Sequence, residues 1–259
     1  MTKKGIMIVG HGSRYEYNKK IMEIQVQRLK DMGFKNIYMG FDETSPPLIE
    51  DSLIEMVNDG IDEIIAVPFF VASGIHVTQK ISGKLGLKVG ETKEVTVNGK
   101  KILIHYDNPF GEDPLLAKIL SEKLFFMDSR KGVTGVMIMG HGSRLPYNEE
   151  IITLNAERLS EMGIKHVYTG FNEFNSPTIE DTMEKMLAAG VTEIIAMPLF
   201  ISAGDHLKND IPEKIRLKDG IFEGTFDHNG KTITVKYATP IGEDPRLTEV
   251  FAAKVRNFL

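Results

Sequence analysis

Two histidines and a glutamate recur with the same spacing in both halves of this 259-residue chain. The two sets, offset by 130 residues, are His11, Glu43 and His76, and His141, Glu173 and His206. Imidazole nitrogen and carboxylate oxygen bind borderline divalent metals, and neutral imidazole accepts a proton near pH 7. A single histidine would more often be structural, but the repeated set predicts a metal site or a proton-transfer site.

The first histidine of each set is followed by Gly-Ser-Arg, as Gly12-Ser13-Arg14 and Gly142-Ser143-Arg144. Backbone amides beside an arginine could bind a carboxylate or a phosphate. The chain has neither a P-loop nor a G-x-G-x-x-G after a strand, so the sequence predicts no nucleotide cofactor. A Ser–His–acid hydrolase stays open as an alternative, although neither serine lies in a G-x-S-x-G elbow.

The composition narrows the classes of function. The net charge is −5, which gives no electrostatic attraction to nucleic acid or to an anionic membrane, so neither is expected as a partner. The absence of cysteine excludes thiolate nucleophiles and Cys-type zinc sites. The first apolar run, residues 6–9, is too short for a signal peptide, and later runs are too short to span a membrane. We therefore expect a cytoplasmic protein.

The repetition extends far beyond the histidines. Gly10-His11-Gly12-Ser13-Arg14 returns at residues 140–144, and Gly111-Glu112-Asp113-Pro114 returns at residues 242–245 with one residue inserted between the two regions. Copies of this length are too long for a solenoid unit. The sequence therefore predicts two homologous domains, residues 1–130 and 131–259, related by a pseudo-twofold axis.

Strands and helices alternate within each copy, which predicts an α/β domain with a mostly parallel sheet flanked by helices. In the first copy we expect strands at residues 6–9, 36–41 and 63–71, a hairpin at 94–106, and helices at 18–32, 48–59 and 114–126. Ligands of such sheets bind beyond the carboxyl ends of the strands. His11, Glu43 and His76 each follow one of the predicted strands, so we expect them to meet at one edge of the sheet.

Motifs around these residues resemble the CbiX family of tetrapyrrole chelatases, which includes sirohydrochlorin cobaltochelatases and archaeal nickelochelatases. The motifs are residues 9–14, 67–77 and 109–113 in the first half, and 140–144, 197–212 and 240–244 in the second. Short members of that family are one domain long and pair as homodimers, so this chain resembles a dimer fused into a monomer. The resemblance implies a chelatase-type fold in each half and a tetrapyrrole cleft between them.

The resemblance also implies roles for the repeated residues. The histidines that would face the tetrapyrrole, ligate the metal and act in catalysis are His11, His76, His141 and His206. Glu43 and Glu173 resemble the acid that joins two histidines in related cobalt chelatases. The residues expected to bind substrate are Ser13, Arg14, Ser143 and Arg144, together with Gly74 and Gly204, whose lack of a side chain lets a bulky ligand approach.

The implied reaction is insertion of a divalent metal, Co²⁺ first and Ni²⁺ or Fe²⁺ as alternatives, into sirohydrochlorin. The metal is a substrate, and no ATP or other nucleotide is expected. The product could feed cobalamin, a nickel cofactor or sirohaem. A tetrapyrrole or metal carrier without catalysis is the competing interpretation, because it would need the same residues. A structural duplicate without function is less compatible with histidines kept in both halves.

The two halves differ after their second histidine. The second half keeps His206-x-x-x-Asp210-Ile211-Pro212, whereas the corresponding positions of the first half are Lys80-Ile81-Ser82. We therefore hypothesise from the sequence that the second set, His141, Glu173 and His206, is the principal metal site. His11 and His76 would then serve the opposite face of the macrocycle.

Overall fold

The computed structural model describes residues 2–13, 16–129, 131–202, 210–218 and 220–259. The predicted site residues Arg14, Gly204 and His206 lie outside these ranges. None of the helices within the described ranges has both the length and the apolar character needed to cross a membrane.

The strands and helices follow the predicted alternation in both halves. The strands are β1 Lys4–Gly10, β2 Ile37–Phe41, β3 Glu63–Pro68, β4 Thr92–Val97, β5 Lys100–Tyr106, β6 Thr134–Gly140, β7 Val167–Phe171, β8 Glu193–Pro198, β9 Glu223–His228 and β10 Lys231–Tyr237. The helices are α1 Tyr17–Asp31, α2 Ile49–Asn58, α3 Ser82–Leu85, α4 Pro114–Met127, α5 Tyr147–Glu161, α6 Ile179–Ala188, α7 Ile211–Lys214 and α8 Leu247–Arg256. A π-helical turn, His76–Ile81, leads into α3.

Each half forms a five-stranded sheet, in the order β2-β1-β3-β5-β4 and β7-β6-β8-β10-β9. Four strands of each sheet are parallel, and β4 and β9 pair antiparallel at the edge. The central strands are buried along nearly their whole length, as expected where helices cover both faces of a parallel sheet. The predicted fold class, two α/β units with mostly parallel sheets, is confirmed.

The register of the first sheet aligns the carboxyl ends of three strands. Gly10 of β1 pairs with Phe41 of β2, and Val9 pairs with Pro68 of β3. β3 ends at Pro68, earlier than the predicted residue 71, and the last backbone bond to β1 runs from the amide of Phe69 to the carbonyl of Val9 at 2.7 Å. The loops that carry His11 and the residues after Phe41 therefore begin side by side.

The predicted hairpin is present, with β4 and β5 joined at Asn98-Gly99. Both residues have positive φ, 48° and 76°, as a type I′ turn requires. His76 does not lie in an open loop as expected, because it is the first residue of the π-helical turn.

The two compact units follow the repeats except at their last helices. Unit 1 comprises Met1–Gly111 and Gly242–Leu259, and unit 2 comprises Glu112–Ile241. In unit 1, α8 packs against α1 and β3, and in unit 2, α4 packs against α5 and β8. Each unit therefore includes the last helix of the other sequence repeat.

Phe251 of α8 shows how the exchanged helix completes unit 1. Its side chain is fully buried, and its ring lies 5.3 Å from that of Phe69 and 5.6 Å from that of Phe110, measured between centroids. Burying a phenylalanine contributes about 1.5–3 kcal/mol, and aromatic pairs contribute somewhat more. The core on this face of the first sheet therefore depends on α8, which follows unit 2 in the sequence.

Candidate metal centre

Three backbone segments bring the site residues of unit 1 together. His11 follows β1, Asp42 and Glu43 follow β2, and His76 begins the π-helical turn. The amide of Asp42 donates to the carbonyl of Gly10 at 3.1 Å, which continues the strand pairing to the site itself. The predicted meeting of His11, Glu43 and His76 at one sheet edge is found in the structure.

Glycine after the histidine is required by close backbone approach. A Cβ on Gly12 would lie 1.6 Å from the carbonyl oxygen of Glu43, and a Cβ on Gly142 would lie 1.7 Å from that of Glu173. Gly142 also has a φ of +88°, a conformation that other residues rarely adopt. The His-Gly pair is thus a packing requirement in both units, independent of chemistry.

Asp42 joins the two histidines of unit 1. Its Oδ1 lies 3.1 Å from Nδ1 of His11, and its Oδ2 lies 2.5 Å from Nδ1 of His76. The imidazole rings are 4.1 Å apart between centroids and tilted by 52°. The Asp42 side chain is fully buried, whereas about a third of each histidine side chain is exposed. One buried carboxylate therefore holds two accessible imidazoles side by side.

The charge of Asp42 is maintained by these contacts. Burial acts to raise the pKa of the carboxyl group, but the hydrogen bonds from His11 and His76 outweigh it and hold the pKa well below its usual range. The amide of Gly12 also donates to Oδ1 at 3.3 Å. Asp42 is therefore an ionised acceptor with a donor to each oxygen.

Glu43 lies at the rim of the same cluster. Its Oε1 is 3.9 Å from Nδ1 of His11, and its Oε2 accepts a hydrogen bond from Nζ of Lys80 at 2.9 Å. That bond holds the pKa of Glu43 below its ordinary value. The ligand atoms of His11, Asp42, Glu43 and His76 all lie within 4.8 Å of one another. Two imidazoles with carboxylates suit Co²⁺, Ni²⁺ or Fe²⁺.

Tyr106 supports the π-helical turn that carries His76. Its hydroxyl donates to the carbonyl of Val77 at 3.0 Å, and its side chain is almost fully buried. Burial, assisted by the nearby charge of Asp42, raises the pKa of this phenol well above its usual range. Tyr106 therefore stays a hydrogen-bond donor that anchors the residue next to His76.

Unit 2 has a different residue at the position of Asp42. Asn172 occupies it, and Nζ of Lys214 donates to both its side-chain oxygen, at 2.9 Å, and its backbone carbonyl, at 2.8 Å. Nδ1 of His141 lies 3.1 Å from the carbonyl oxygen of Gly142. Among the residues that the structure describes, which exclude His206, the only gathered histidine–carboxylate cluster is that of unit 1.

The residues predicted to bind substrate are largely engaged within the protein. The amide of Ser13 donates to Oγ of Ser45 at 3.1 Å, and the amide of Ser143 donates to Oδ1 of Asn175 at 2.7 Å. The carbonyl of Gly74 accepts from the amide and the hydroxyl of Thr78, each at 2.9 Å. The amides of both serines donate within the protein and are not available to a substrate in this arrangement. The roles of these residues in substrate binding remain predictions.

Arg144 is placed differently from the serines. Its guanidinium carbon lies 5.5 Å from the centroid of the Phe174 ring, which is mostly exposed. An arginine held over an aromatic face at the carboxyl edge of a sheet can pair with a carboxylate. Arg144 is thus the member of the predicted substrate-binding set whose described contacts fit that role best.

Sequence reasoning missed Asp42 and Tyr106. Asp42 lies at a strand end beside Glu43, which was a usable signal, but Asn172 replaces it in the second copy. Selecting residues because both copies contain them therefore removed the acid that joins the two histidines. Tyr106 is repeated as Tyr237, but its position within a strand gave no indication of a contact with the turn after His76.

The family model and the most similar curated proteins point to the same family. A model of the CbiX family matches residues 5–125 and again residues 135–258. A sirohydrochlorin cobaltochelatase of Methanosarcina barkeri is 36% identical over 129 residues, covering 48% of this chain and 96% of that protein. The enzyme of the same name from Methanothermobacter thermautotrophicus is 34% identical over 142 residues, covering 51% and 99%.

Solved structures match the whole chain at lower identity. The structure of SirB from Bacillus subtilis with Fe³⁺ superposes with a TM-score of 0.80 at 21% identity, covering 99% of this chain and 95% of SirB. A CbiX described as the terminal enzyme of sirohaem biosynthesis in denitrifying bacteria has a TM-score of 0.66 at 17% identity, covering 98% and 99%. At these identities the likeness shows the fold.

Proposed function

This chain is a metal chelatase of the CbiX family, and we propose that it inserts a divalent metal ion into sirohydrochlorin without ATP. The observation that carries the proposal is the pair of partly exposed imidazoles joined by Asp42, with the carboxylate of Glu43 beside them. Relatives that align over nearly their whole length are named for this reaction with cobalt. Co²⁺ is therefore the first candidate metal, and Ni²⁺ and Fe²⁺ are the alternatives.

The chemistry of insertion matches this arrangement. A free-base tetrapyrrole loses two pyrrole protons when it takes up a divalent metal. Imidazole serves both parts of the exchange, because the lone pair that ligates the metal becomes a proton acceptor once the metal has left. His11 and His76 provide two such lone pairs, one for each proton released. The metal must be held loosely, and two imidazoles with one rim carboxylate leave exchangeable positions.

We assign the principal metal-handling role to unit 1, the opposite of the hypothesis drawn from the sequence. Asp42 supports this assignment, since it holds His11 and His76 together. The side-chain oxygen of Asn172, at the corresponding position of unit 2, is bonded instead to Lys214. His141, Glu173 and His206 remain expected contacts of the macrocycle, with Arg144 pairing one of its carboxylates.

The test is a turnover experiment with the full chain. Sirohydrochlorin in excess over protein is mixed anaerobically with Co²⁺, without ATP, and metal insertion is followed by absorbance against a control without protein. Ni²⁺ and Fe²⁺ follow under the same conditions. We expect several turnovers per chain. Tight macrocycle binding without acceleration would replace the enzyme by a carrier, and absence of binding would reject sirohydrochlorin as the ligand.

A further inference from the structure

We propose that Asp42 is a positioning residue that fixes both His11 and His76 in the tautomer with the proton on Nδ1. The Nε2 lone pairs of both rings are then available on the side away from Asp42. The proposal deepens the proposed function and rests on it for the identity of the reaction. The arrangement itself, two imidazoles sharing one buried carboxylate, can be tested without sirohydrochlorin.

The tautomers follow from the hydrogen-bond partners. An ionised carboxylate can only accept, so each Nδ1 in contact with Asp42 must carry a proton. Each carboxylate oxygen faces a different ring, at 3.1 Å for His11 and 2.5 Å for His76. In a neutral imidazole with a protonated Nδ1, Nε2 is the free acceptor. One aspartate therefore sets the same tautomer in two rings.

The burial of Asp42 argues against this residue binding the metal directly. Its side chain has no exposed surface, and both oxygens already accept hydrogen bonds. The exposed part of the cluster belongs to the two histidines and to Glu43, whose side chains are 33–45% exposed. Residues that orient ligating histidines through the other ring nitrogen are a recurring feature of metal sites. Asp42 fits this role for two histidines at once.

Unit 2 provides the matched comparison. An asparagine at position 172 has one acceptor oxygen, and Lys214 occupies it. An amide cannot offer a separate acceptor atom to each of two imidazoles, because its second polar atom is a donor. Asp42→Asn therefore places the residue of unit 2 into unit 1 with little change in size, and Asn172→Asp is the control substitution at the corresponding position.

The first experiment is nitrogen NMR of metal-free protein labelled at histidine, near neutral pH. We expect two histidine rings with a protonated Nδ1 and an unprotonated Nε2, identified by their loss in His11→Gln and His76→Gln. In Asp42→Asn at least one of the two should lose this signature, and in Asn172→Asp both should keep it. An unprotonated Nδ1 on either ring of the unaltered protein would overturn the proposal, even if Asp42→Asn fails to fold.

The second experiment is a Co²⁺ titration followed by visible absorbance. Loss of a residue that orients metal-binding histidines weakens metal binding by about 10–100-fold, and we expect this for Asp42→Asn. Asn172→Asp should bind Co²⁺ as the unaltered protein does. In turnover, Asp42→Asn should lower kcat and leave KM for sirohydrochlorin nearly unchanged. Unchanged tautomers and unchanged Co²⁺ affinity in a folded Asp42→Asn protein would refute the positioning role.

These readouts separate the two proposals. If the tautomers and the Co²⁺ affinity respond as expected but no turnover occurs with sirohydrochlorin, the proposed substrate is wrong and the positioning role stands. If turnover occurs and Asp42→Asn changes neither tautomer nor affinity, the chelatase proposal stands and the positioning role fails.

Discussion

The ends of β2 and β7 have the same backbone and different chemistry. After β2 the amide of Asp42 donates to Gly10, and after β7 the amide of Asn172 donates to Gly140, at 3.1 and 3.0 Å. The backbone contact is kept, but a carboxylate that binds two histidines is replaced by an amide bonded to Lys214. The glycine after each first histidine, which is common to both units, reports what the backbone needs. Asp42 and Asn172, which differ, distinguish what each unit can do with the histidines that both contain.

The two units also differ in charge next to the glutamate of each site. Glu43 of unit 1 pairs with Lys80, whereas the position corresponding to Lys80 in unit 2 is Asp210. The rim of unit 1 therefore combines a carboxylate with a cation, and the corresponding positions of unit 2 are both acidic. Charge substitutions at these positions distinguish two units that share one fold.

The largest expected effect is on catalysis. His11→Ala should lower Co²⁺ insertion by about 1,000-fold, because it removes one of the two imidazoles that exchange metal for protons. His141→Ala, the corresponding change in unit 2, should cost less than about 10-fold, because Asp42 has no counterpart there. Both rates are measured anaerobically on variants whose circular dichroism is unchanged. Equal losses would remove the asymmetry between the units.

The next effect is on stability and should be shared by both units. Gly12→Ala and Gly142→Ala each force a Cβ against a carbonyl oxygen, so each should lower the free energy of unfolding by about 2–3 kcal/mol. Gly142→Ala should lose about 1 kcal/mol more, because its φ is positive. Urea denaturation measures both. Gly83→Ala, where a Cβ meets no atom within 4 Å, is the control.

Two corresponding glutamates, Glu63 and Glu193, should make the stability of each unit depend on pH. Glu193 accepts hydrogen bonds from Lys236 at 2.7 Å and from Ser129, and Glu63 pairs with Lys4 and His105 at 2.9 Å. Burial opposes ionisation in each, but these partners outweigh it and lower both pKa values. Each glutamate therefore stabilises the fold at neutral pH, and that stabilisation is lost as the pH falls below about 4.5.

The less exposed glutamate should have the larger effect. At pH 7, Glu193→Gln should lower the free energy of unfolding by about 2 kcal/mol and Glu63→Gln by about 1 kcal/mol. Both differences should shrink as the pH falls below about 4.5, because the carboxyl groups of the unaltered protein then become protonated. Urea denaturation across pH checks this. Losses that persist undiminished at pH 3 would show that packing, rather than charge, is responsible.

The smallest effect concerns helix capping. Thr178 accepts a hydrogen bond from the amide of Asp181 and completes a capping box at the start of α6. Leu48, at the same position before α2, provides no side-chain cap. Leu48→Thr should therefore gain about 0.5–1 kcal/mol, and Thr178→Leu should lose about 1 kcal/mol. Thr178→Ser is the control, and a thermal melt in which Leu48→Thr loses stability would contradict the comparison.

Much of the fold was predictable because apolar runs and turn residues act locally. The strand before His11 and the hairpin at Asn98-Gly99 follow from burial and from φ preferences within a few residues. The pattern predicts a loop at His76, since a π-helical turn of six residues leaves no helical periodicity after a glycine-rich segment. The carboxylate shared by His11 and His76 could not be predicted in this way. Asp42 and His76 are 34 residues apart, and their contact forms only when the chain has folded.

The exchange of α4 and α8 was also beyond sequence reasoning. The repeat pattern places each helix at the end of its own copy, and the sequence carries no mark of which sheet a helix covers. The apolar faces of α4 and α8 have the same spacing of apolar residues, so the sequence does not show which sheet each helix covers. The packing partners Phe69 and Phe251 are 182 residues apart in the chain. Only the assembled core distinguishes the two pairings.

The exchanged helices set an order of completion during synthesis. Unit 2 is one continuous segment, Glu112–Ile241, and all of its residues are joined to the chain before Phe251 is added. Unit 1 begins first, yet its core around Phe69 and Phe110 waits for the final segment, Gly242–Leu259. The histidine pair therefore belongs to the unit whose residues are completed last, and a chain truncated before α8 would lack part of that core while keeping every residue of unit 2.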